Sequence, residues 1–297
     1  MTAATSMADF ERHRDHLMGV AYRMLGAVQD AEDAVQETYL RYSGATGTDI
    51  RHLRAWLTKT IVRICLDELG SARARRERYV GPWLPEPIVG DGRSMSWVPL
   101  GPEERVTLDA SVSIAMLVLL ESLGPAERSA LILHDVLGLP YGEVSEVLGR
   151  SQATCRQLVT RARTHIREHA PRFTPDRAQH TKAVRAFLAA CSHGSVDELV
   201  RVLDPNVILR SDGGGLVPGV ALRPVIGSDH VARLLLGVAA KHAATSWVDT
   251  VNGSPGLVFE ADGGVVGVMG FTVAGALITE IDFVVNPEKL RRVERQS

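Results

Sequence analysis

Residues 141–169 read YGEVSEVLGRSQATCRQLVTRARTHIREH and contain two helical patterns separated by a glycine. The pattern over Tyr141–Leu148 is short and amphipathic, and Gly149 can supply the left-handed residue that ends a helix. Ser151 can cap a second helix that runs from about Gln152 to His169. A short helix, a tight turn and a longer capped helix predict a helix-turn-helix motif.

The second helix of such a motif lies in the major groove of DNA, where its first residues face base edges and later cations meet phosphates. Residues 150–172 hold six arginines against one glutamate, which suits this role. The candidate base-reading residues and the nearest candidate phosphate contact are Ser151, Gln152, Thr154, Arg156, Gln157 and Arg161, with Arg163 and Arg167 further along as phosphate contacts. Cys155 and Leu158 are expected in the core. A plain helical hairpin is the alternative.

A second basic segment lies upstream, in a helix predicted from about Leu53 to Ala74. Residues 51–78 hold eight Arg and Lys residues against three Asp and Glu residues. Each cation can neutralise a phosphate, and the ring of Trp56 can stack on an unpaired base. Trp56 also falls on the apolar stripe, where core packing is the competing role. The candidate nucleic-acid contacts are Arg54, Trp56, Lys59, Arg63, Arg73, Arg75, Arg76 and Arg78.

An acidic helix is predicted to begin at Asp30. Its apolar side is formed by residues such as Ala31, Ala34 and Val35, and its opposite side carries polar and acidic residues. Acidic residues near a helix N-terminus are favoured by the helix dipole, so a solvated face is one interpretation. The other interpretation is a docking surface for a basic partner. The candidate docking residues are Asp30, Glu32, Asp33, Gln36 and Glu37.

Composition limits the other classes of protein. A chain of 297 residues with 45% hydrophobic residues predicts two or three packed domains. Three widely spaced cysteines give neither a disulfide framework nor a metal-binding pair, so a reducing compartment is expected. The first residues lack the basic region and apolar stretch typical of a secretory leader, and the sequence shows no run of 18 apolar residues, phosphate loop or dinucleotide fingerprint. We therefore expect a cytoplasmic protein with no membrane association, metal or cofactor.

Proline and glycine residues recur throughout residues 80–102, and this pattern predicts a linker between the two helical parts. The apolar side chains of Trp83, Leu84, Ile88 and Trp97 are unfavourable in water, so part of this linker is expected to dock on a folded surface. Beyond residue 175 two helices precede several strand-like segments. This order predicts a separate α+β domain with an antiparallel sheet.

The α+β domain carries scattered polar residues that allow a catalytic interpretation. Asp212, at the end of a strand, precedes three glycines, and an Asp–His pair can perform general acid–base chemistry. The residues that can line such a cavity are Asp212, His230, Trp247, Asp249 and Glu280. Their spacing does not require a catalytic site, and surface or structural roles are the alternative.

These segments together resemble the sigma-70 family. Residues 8–79 are similar to region 2, with DAEDAVQETYLR at residues 30–41 resembling the helix that binds core RNA polymerase. Residues from Arg54 to Asp67 resemble the segment that melts and reads the −10 element. Residues 109–170 resemble region 4, which reads the −35 element. Only a linker separates the two, as in extracytoplasmic-function (ECF) sigma factors.

Three further motifs narrow the resemblance to the ECF subgroup that carries a fused SnoaL-like domain. They are WLPEP at residues 83–87, DGGG at 212–215 and NPEKL at 286–290, where Glu288 replaces an expected Asp. In this subgroup the fused domain regulates the sigma core in place of a separate anti-sigma factor. We hypothesise that the linker and the fused domain hold regions 2 and 4 in a fixed relative geometry, with Trp83 and Leu84 packed on the fused domain and the Asp212 loop near region 2. The candidate interdomain residues are Trp83, Leu84, Pro85, Asp212, Gly213, Gly214, Asn286, Pro287 and Lys289.

The expected architecture therefore has two all-α sigma domains and a cone-shaped α+β domain. The divisions are residues 1–79, a linker at 80–105, residues 106–172, residues 175–290 and a tail at 291–297. Expected partners are core RNA polymerase, promoter DNA and a small-molecule ligand of the C-terminal domain. Two alternatives remain: a cyclase- or isomerase-like enzyme tethered to a DNA-binding module, and an ordinary helix-turn-helix regulator with a sensing domain.

Overall fold

The computed structural model describes residues 7–45, 50–76, 79–90, 113–169 and 177–293, with the backbone only for residues 71–76. These residues form two compact units. Unit 1 contains residues 7–45, 50–76 and 119–169, and unit 2 contains residues 79–90, 113–118 and 177–293. Trp97 and Arg78 lie outside the described residues.

Three helices form the first part of unit 1: α1 (Met7–Leu25), α2 (Val28–Gly44) and α3 (Leu53–Arg76). Their contact surface is apolar because residues three and four apart share one face of a helix. Phe10, Leu17 and Leu57 are fully buried there. Helix α2 begins two residues before the predicted start at Asp30.

The second part of unit 1 contains α4 (Ile114–Ser122), α5 (Pro125–Leu131), a π-helical turn (Ile132–Val136), α6 (Tyr141–Leu148) and α7 (Gln152–His169). The first five residues of α4 belong to unit 2. Gly149 adopts a left-handed φ of 62°, as the turn between α6 and α7 requires. The Ser151 side chain accepts a hydrogen bond from the Thr154 amide at 3.1 Å. The predicted helix-turn-helix and its cap are confirmed.

Unit 2 is built on a six-stranded sheet with helices. In chain order its elements are α8 (Arg177–His193), α9 (Val196–Val202), β1 (Leu203–Asp212), β2 (Val225–Ile226), α10 (Ser228–Ala239), β3 (Thr245–Val251), β4 (Ser254–Ala261), β5 (Gly264–Ala274), β6 (Leu277–Val284) and α11 (Pro287–Leu290). The sheet order is β2-β1-β6-β5-β4-β3. The predicted fold class, helical domains followed by an α+β domain, is confirmed.

One local prediction for this domain was wrong. The sheet is mixed, because β1 runs parallel to β6 while the other pairs are antiparallel. Alternation of apolar residues identifies a strand without giving its direction.

The two faces of the sheet have different partners, because successive side chains of a strand point to opposite faces. One face carries Leu257, Met269 and Ile281 and belongs to the main apolar core, which also contains residues of α8, α9 and α10. The other face carries Val258, Val268 and Val284, which pack with Leu84 of the linker and Ile114 of α4. The expectation that part of the linker docks on a folded surface is confirmed.

Candidate nucleic-acid and partner interfaces

The exposed side of α7 carries most of the predicted base-reading residues. Gln152, Arg156, Gln157 and Arg161 are exposed, whereas Cys155 on the opposite side is fully buried. This separation follows from the helical repeat, which puts the polar and apolar residues of the segment on different faces. Leu158 is partly buried. Helix α7 therefore presents a polar, cationic surface of the kind that fits a DNA groove.

Three of the DNA contacts predicted in the helix-turn-helix motif already have hydrogen-bond partners within the protein. The hydroxyls of Ser151 and Thr154 lie 2.9 Å apart, and the Ser151 hydroxyl also caps the helix. Arg163, expected to meet phosphate, instead donates two hydrogen bonds to Asp135 at 2.7 and 2.8 Å. Sequence reasoning missed the Arg163–Asp135 pair because Asp135 is 28 positions away, in the π-helical turn.

The basic surface of α3 is partly occupied by the helix-turn-helix. Arg54 and Arg63 are exposed, but Nη2 of Arg63 donates to the backbone carbonyl of Glu146 at 3.2 Å. Nζ of Lys59 lies 2.6 Å from Oε2 of the same residue. Trp56 is half-buried, with its ring centroid 6.2 Å from that of Tyr42, which agrees with a packing role. The side chains of Arg73, Arg75 and Arg76 lie outside the described residues.

A buried cation connects α5 to α1 and α4. Arg128 is 2% exposed, and its Nη1 donates to the carbonyl of Met24 at 2.7 Å and to Oε1 of Glu121 at 2.6 Å. Burial lowers the pKa of Arg128 to about 9, so the side chain remains charged at neutral pH. Within the described part of the chain its Nε has no hydrogen-bond partner. No sequence pattern pointed to this residue, because its partners are 7 and 104 positions away.

A histidine lies beside the basic surface of α3. Nε2 of His16 is 2.9 Å from the hydroxyl of Thr58, which in turn donates to the carbonyl of Arg54. Burial, followed by the charge of Arg54, lowers the pKa of His16 to about 4. The imidazole is therefore neutral at physiological pH. This histidine was not among the predicted functional residues.

The predicted docking residues lie on the solvent side of α2. Asp33 and Gln36 are exposed, and Asp30, Glu32 and Glu37 are partly exposed. Asp33 accepts a hydrogen bond from Gln29 at 3.1 Å, and Glu37 pairs with Arg41 at 2.9 Å. Both contacts join residues one helical turn apart at the surface, where such pairs contribute only a few tenths of a kcal/mol. They compete weakly with a partner for these carboxylates.

Unit 2 contains a network that we name the linker clasp: Tyr79, Trp83, Leu84, Asp212, Asn286 and Lys289. Its centre is the fully buried Asp212. The carboxylate accepts hydrogen bonds from the Tyr79 hydroxyl at 2.6 Å, the Leu84 amide at 2.8 Å and Nζ of Lys289 at 2.7 Å. It also accepts from the amide of Gly214 at 3.1 Å. A buried carboxylate needs such partners to offset its lost hydration.

Lys289 completes the clasp from the C-terminal side. Its Nζ lies 4.1 Å from the ring centroid of Trp83 and 5.1 Å from that of Tyr79, both within cation–π range. It also donates to the carbonyl of Leu84. Burial and the bond to Asp212 raise the pKa of Tyr79, so its hydroxyl stays protonated while it accepts from Nδ2 of Asn286 at 2.7 Å.

The glycines after Asp212 allow the clasp to close. Gly214 has a φ of 60°, and a Cβ atom there would lie 2.4 Å from Nδ2 of Asn286. At Gly215, with a φ of 73°, a Cβ atom would lie 2.9 Å from Cβ of Val80. Both the backbone conformation and the close approach of neighbouring residues therefore require glycine. Pro287 occupies the first turn of α11, where its fixed φ suits a helix start.

The residues proposed for acid–base chemistry do not form one site. Asp212 is held by the clasp, while His230 is exposed and its Nδ1 lies 3.1 Å from the carbonyl of Ile226. Oδ2 of Asp249 lies 3.3 Å from Nε1 of Trp247. Burial raises the pKa of Glu280, whose carboxylate lies 2.6 Å from Nη2 of Arg210. Among the described residues no hydrogen bond joins Asp212 to His230, and the alternative of a tethered enzyme has no support.

Other chemistry is also limited among the residues that the structure describes. They contain no group of three or more His, Cys, Asp or Glu side chains arranged to hold a metal ion. Cys65, Cys155 and Cys191 are free thiols, and burial raises the pKa of each, that of Cys191 to about 12. Reactive thiolates are therefore disfavoured. None of the described helices has the length and apolar character needed to span a bilayer.

Two family models match the helical parts of the chain. The model for Sigma-70 region 2 matches residues 10–75, and the model for Sigma-70, region 4 matches residues 113–166. The first match contains most of α1, all of α2 and nearly all of α3, and the second contains most of the helix-turn-helix. The predicted −10 and −35 residues with described side chains fall within these two ranges.

Full-length relatives extend the match to the α+β domain. The chain is 38% identical over 285 residues to the probable ECF RNA polymerase sigma factor SigI of Mycobacterium tuberculosis (strain CDC 1551 / Oshkosh), across 95% of this chain and 94% of SigI. It is 39% identical over 281 residues to the ECF RNA polymerase sigma factor SigJ of M. tuberculosis (strain ATCC 25618 / H37Rv), across 93% and 86% of the two chains. The crystal structure of M. tuberculosis SigJ covers 96% of this chain and 98% of its own, with a TM-score of 0.74 and 35% identity.

Proposed function

The chain belongs to the extracytoplasmic-function group of RNA polymerase sigma factors. On this basis we propose which of its surfaces bind core polymerase, which bind promoter DNA and which regulate the two. The chain binds core RNA polymerase and directs it to promoters, as its two sigma-70 regions and full-length relatives indicate. The observation that carries this conclusion is the similarity to sigma factors along nearly the whole chain. The assignments of individual residues below are our proposals.

Helix α2 docks on core polymerase through Asp33, Gln36 and Glu37, with Asp30 and Glu32 at its edge. The side chains of Asp33 and Glu37 face solvent and form weak contacts within the helix. Charged groups are expected to guide encounter and fix register, while burial at the contact supplies much of the affinity. The negative charge of these residues favours binding to a positively charged surface of the partner.

Two cationic surfaces hold promoter DNA. Helix α7 reads the −35 duplex through Gln152, Arg156 and Gln157, and Arg161 contacts phosphate. Helix α3 holds the −10 strand through Arg54, Lys59 and Arg63, with Arg73, Arg75 and Arg76 extending the cationic run along the chain. Trp56 is partly committed to packing on Tyr42, so its contribution to base stacking is secondary. A protein that acts on chromosomal promoters operates in the cytoplasm.

The fused α+β domain regulates these surfaces by holding the linker. The linker clasp fixes residues 79–84 on unit 2 through a buried ion pair and several hydrogen bonds. In sequence, Leu84 precedes the central part of the linker and Ile114 follows it. Both belong to one apolar cluster of that unit. The span of chain between regions 2 and 4 is therefore restrained at both ends, which limits how freely the two regions separate. This role is non-enzymatic, and no small-molecule ligand is needed for it.

The decisive experiment is transcription with purified core polymerase and full-length protein. We expect promoter-specific run-off transcripts that require the protein. Glu37→Lys combined with Asp33→Lys should weaken association with core enzyme at least about tenfold, since repulsion replaces attraction. Asp229→Lys makes the same change of charge as each single α2 substitution, at an exposed acidic residue of α10, and serves as the control. Core binding that survives the α2 substitutions would refute the proposed docking face.

A further inference from the structure

A π-helical turn directs two side chains toward the DNA-reading part of unit 1. The turn spans Ile132–Val136, and its extra residue rotates the downstream residues relative to an ordinary α-helix. The ring of His134 stacks on Tyr141 with centroids 4.0 Å apart and planes inclined by 27°. The next residue, Asp135, binds Arg163 of α7 through both carboxylate oxygens. The turn thus supports both helices of the helix-turn-helix motif.

The ring of Tyr141 has a second neighbour, the guanidinium group of Arg156. The guanidinium carbon lies 5.2 Å from the ring centroid, within the range of a cation–π contact. Nδ1 of His134 lies 2.8 Å from the carbonyl of Leu139, which restrains the imidazole that stacks on the tyrosine. Tyr141 begins α6 directly after Pro140, whose φ of −65° sets the direction of the first turn. The ring of Tyr141 therefore contacts both a restrained imidazole and a cation.

Arg156 is exposed on α7 and would otherwise sample many side-chain conformations. Binding at a base edge requires one of them, and a guanidinium fork fits the O6 and N7 acceptors of guanine. An aromatic face that already orients the guanidinium lowers the cost of that ordering. A phosphate contact would gain less, because phosphate accepts a cation from many directions.

We propose that Tyr141 is a positioning residue for promoter recognition, whose ring, supported by His134, orients Arg156 toward a guanine of the −35 element. This proposal rests on the proposed function of α7 as the −35 reader. Tyr141 itself need not touch DNA. Loss of its ring should reduce discrimination for that guanine about two- to fivefold, the range expected of an exposed cation–π contact. Non-specific affinity and its dependence on salt should stay constant, because no phosphate contact is lost.

The test uses holoenzyme assembled from purified core polymerase and the full-length chain. The preferred −35 sequence is first selected from duplexes randomised at that element. Affinities are then measured for duplexes with each selected guanine replaced by adenine. The proteins are wild type, Tyr141→Leu, Tyr141→Phe, Tyr141→Trp, Arg156→Ala and the double variant Tyr141→Leu/Arg156→Ala, and each is checked for an unchanged unfolding midpoint.

We expect Arg156→Ala to remove discrimination at one guanine and Tyr141→Leu to reduce it at the same guanine. Tyr141→Phe should retain discrimination and Tyr141→Trp should retain or increase it, because both keep a ring face for the cation. In the Arg156→Ala background, Tyr141→Leu should have no further effect. If Tyr141→Leu fails to fold, Tyr141→Met replaces it in both backgrounds, because methionine fills space flexibly and has no ring.

Contrary results separate the two levels of the proposal. Full discrimination in Tyr141→Leu, equal losses in the Leu and Phe variants, or a further loss in the double variant would overturn the positioning role alone. Unchanged discrimination in Arg156→Ala would instead remove Arg156 as a base reader, and the proposed function of α7 would need revision first.

Discussion

Nζ of Lys59 lies 2.6 Å from Oε2 of Glu146, so a cation assigned to the −10 strand is paired with the first helix of the −35 reader. Arg63 strengthens this contact by donating to the Glu146 carbonyl. The Lys59 ammonium cannot form a full ion pair with this carboxylate and with a DNA phosphate at the same time. Promoter binding by both regions therefore favours a different arrangement within unit 1.

The Lys59–Glu146 pair should be a weak restraint, because Glu146 is exposed and water screens the pair. We expect Glu146→Gln to raise the affinity of the full-length protein for single-stranded −10 DNA by less than about fivefold. Thermal stability should not change. The measurement is a salt titration of binding to a labelled oligonucleotide, with Glu143→Gln on the same helix as the control. An equal effect from both variants would indicate general charge repulsion only.

The Arg128–Glu121 pair should be a strong restraint, because both side chains are largely buried. Glu121→Gln leaves the guanidinium without its counterion and should lower the free energy of unfolding by about 3–5 kcal/mol. The double variant Glu121→Gln/Arg128→Met should recover part of this loss, since no unpaired cation remains. Urea unfolding curves measure both. A double variant that is less stable than Glu121→Gln alone would contradict this account.

Stability should fall in acid because of His16. Its pKa of about 4 in the folded protein is below the usual value of 6.5, so the unfolded chain binds the extra proton more readily. The stabilisation from keeping the ring neutral is complete above pH 6.5 and is lost as the pH falls toward 4. The total is up to about 3 kcal/mol.

The measurement for His16 is unfolding free energy against pH for wild type and His16→Gln. The pKa values of His13 and His180 are lowered too, so the difference between the two profiles is the informative quantity. Between pH 6.5 and 4, the difference in unfolding free energy should change with pH at the rate expected when unfolding takes up about one extra proton in the wild type. Parallel profiles would show that His16 titrates normally.

The linker clasp should open when Asp212 loses its charge. Asp212→Asn keeps one acceptor oxygen but replaces the other with an amide donor, which in either orientation faces groups that donate: Leu84 and Lys289, or the Gly214 amide. Removing the counterion of a buried ammonium costs about 3–5 kcal/mol. We expect faster proteolysis within residues 79–90 and a changed yield of run-off transcript.

Glu288→Asp is the matched control for the clasp variant. This substitution introduces the residue expected at this position of the NPEKL motif. The Glu288 carboxylate is exposed, and the backbone amide of Glu288, which the substitution keeps, donates to the Asn286 side chain. Proteolysis and transcription should therefore match wild type. Cleavage that does not increase in Asp212→Asn would show that the clasp does not hold the linker.

Elements set by short-range contacts were predictable from sequence. The limits of α6, the left-handed Gly149 and the cap at Ser151 depend on residues close to one another in the chain. The exposed side of α7 followed in the same way from the helical repeat. The motifs that meet in the linker clasp were also recognisable, although their hydrogen bonds were not.

Only the tertiary structure decided which distant groups meet. Residues 133 positions apart form the Tyr79–Asp212 bond, and 87 positions separate Lys59 from Glu146. The parallel pairing of β1 with β6 and the burial of Arg128 are of the same kind. Sequence determined the helices, their polar faces and the family, because these arise from local periodicity and motifs. The partners of each charge depended on packing between segments that are distant in sequence. The free energy of that packing cannot be inferred from a local sequence pattern.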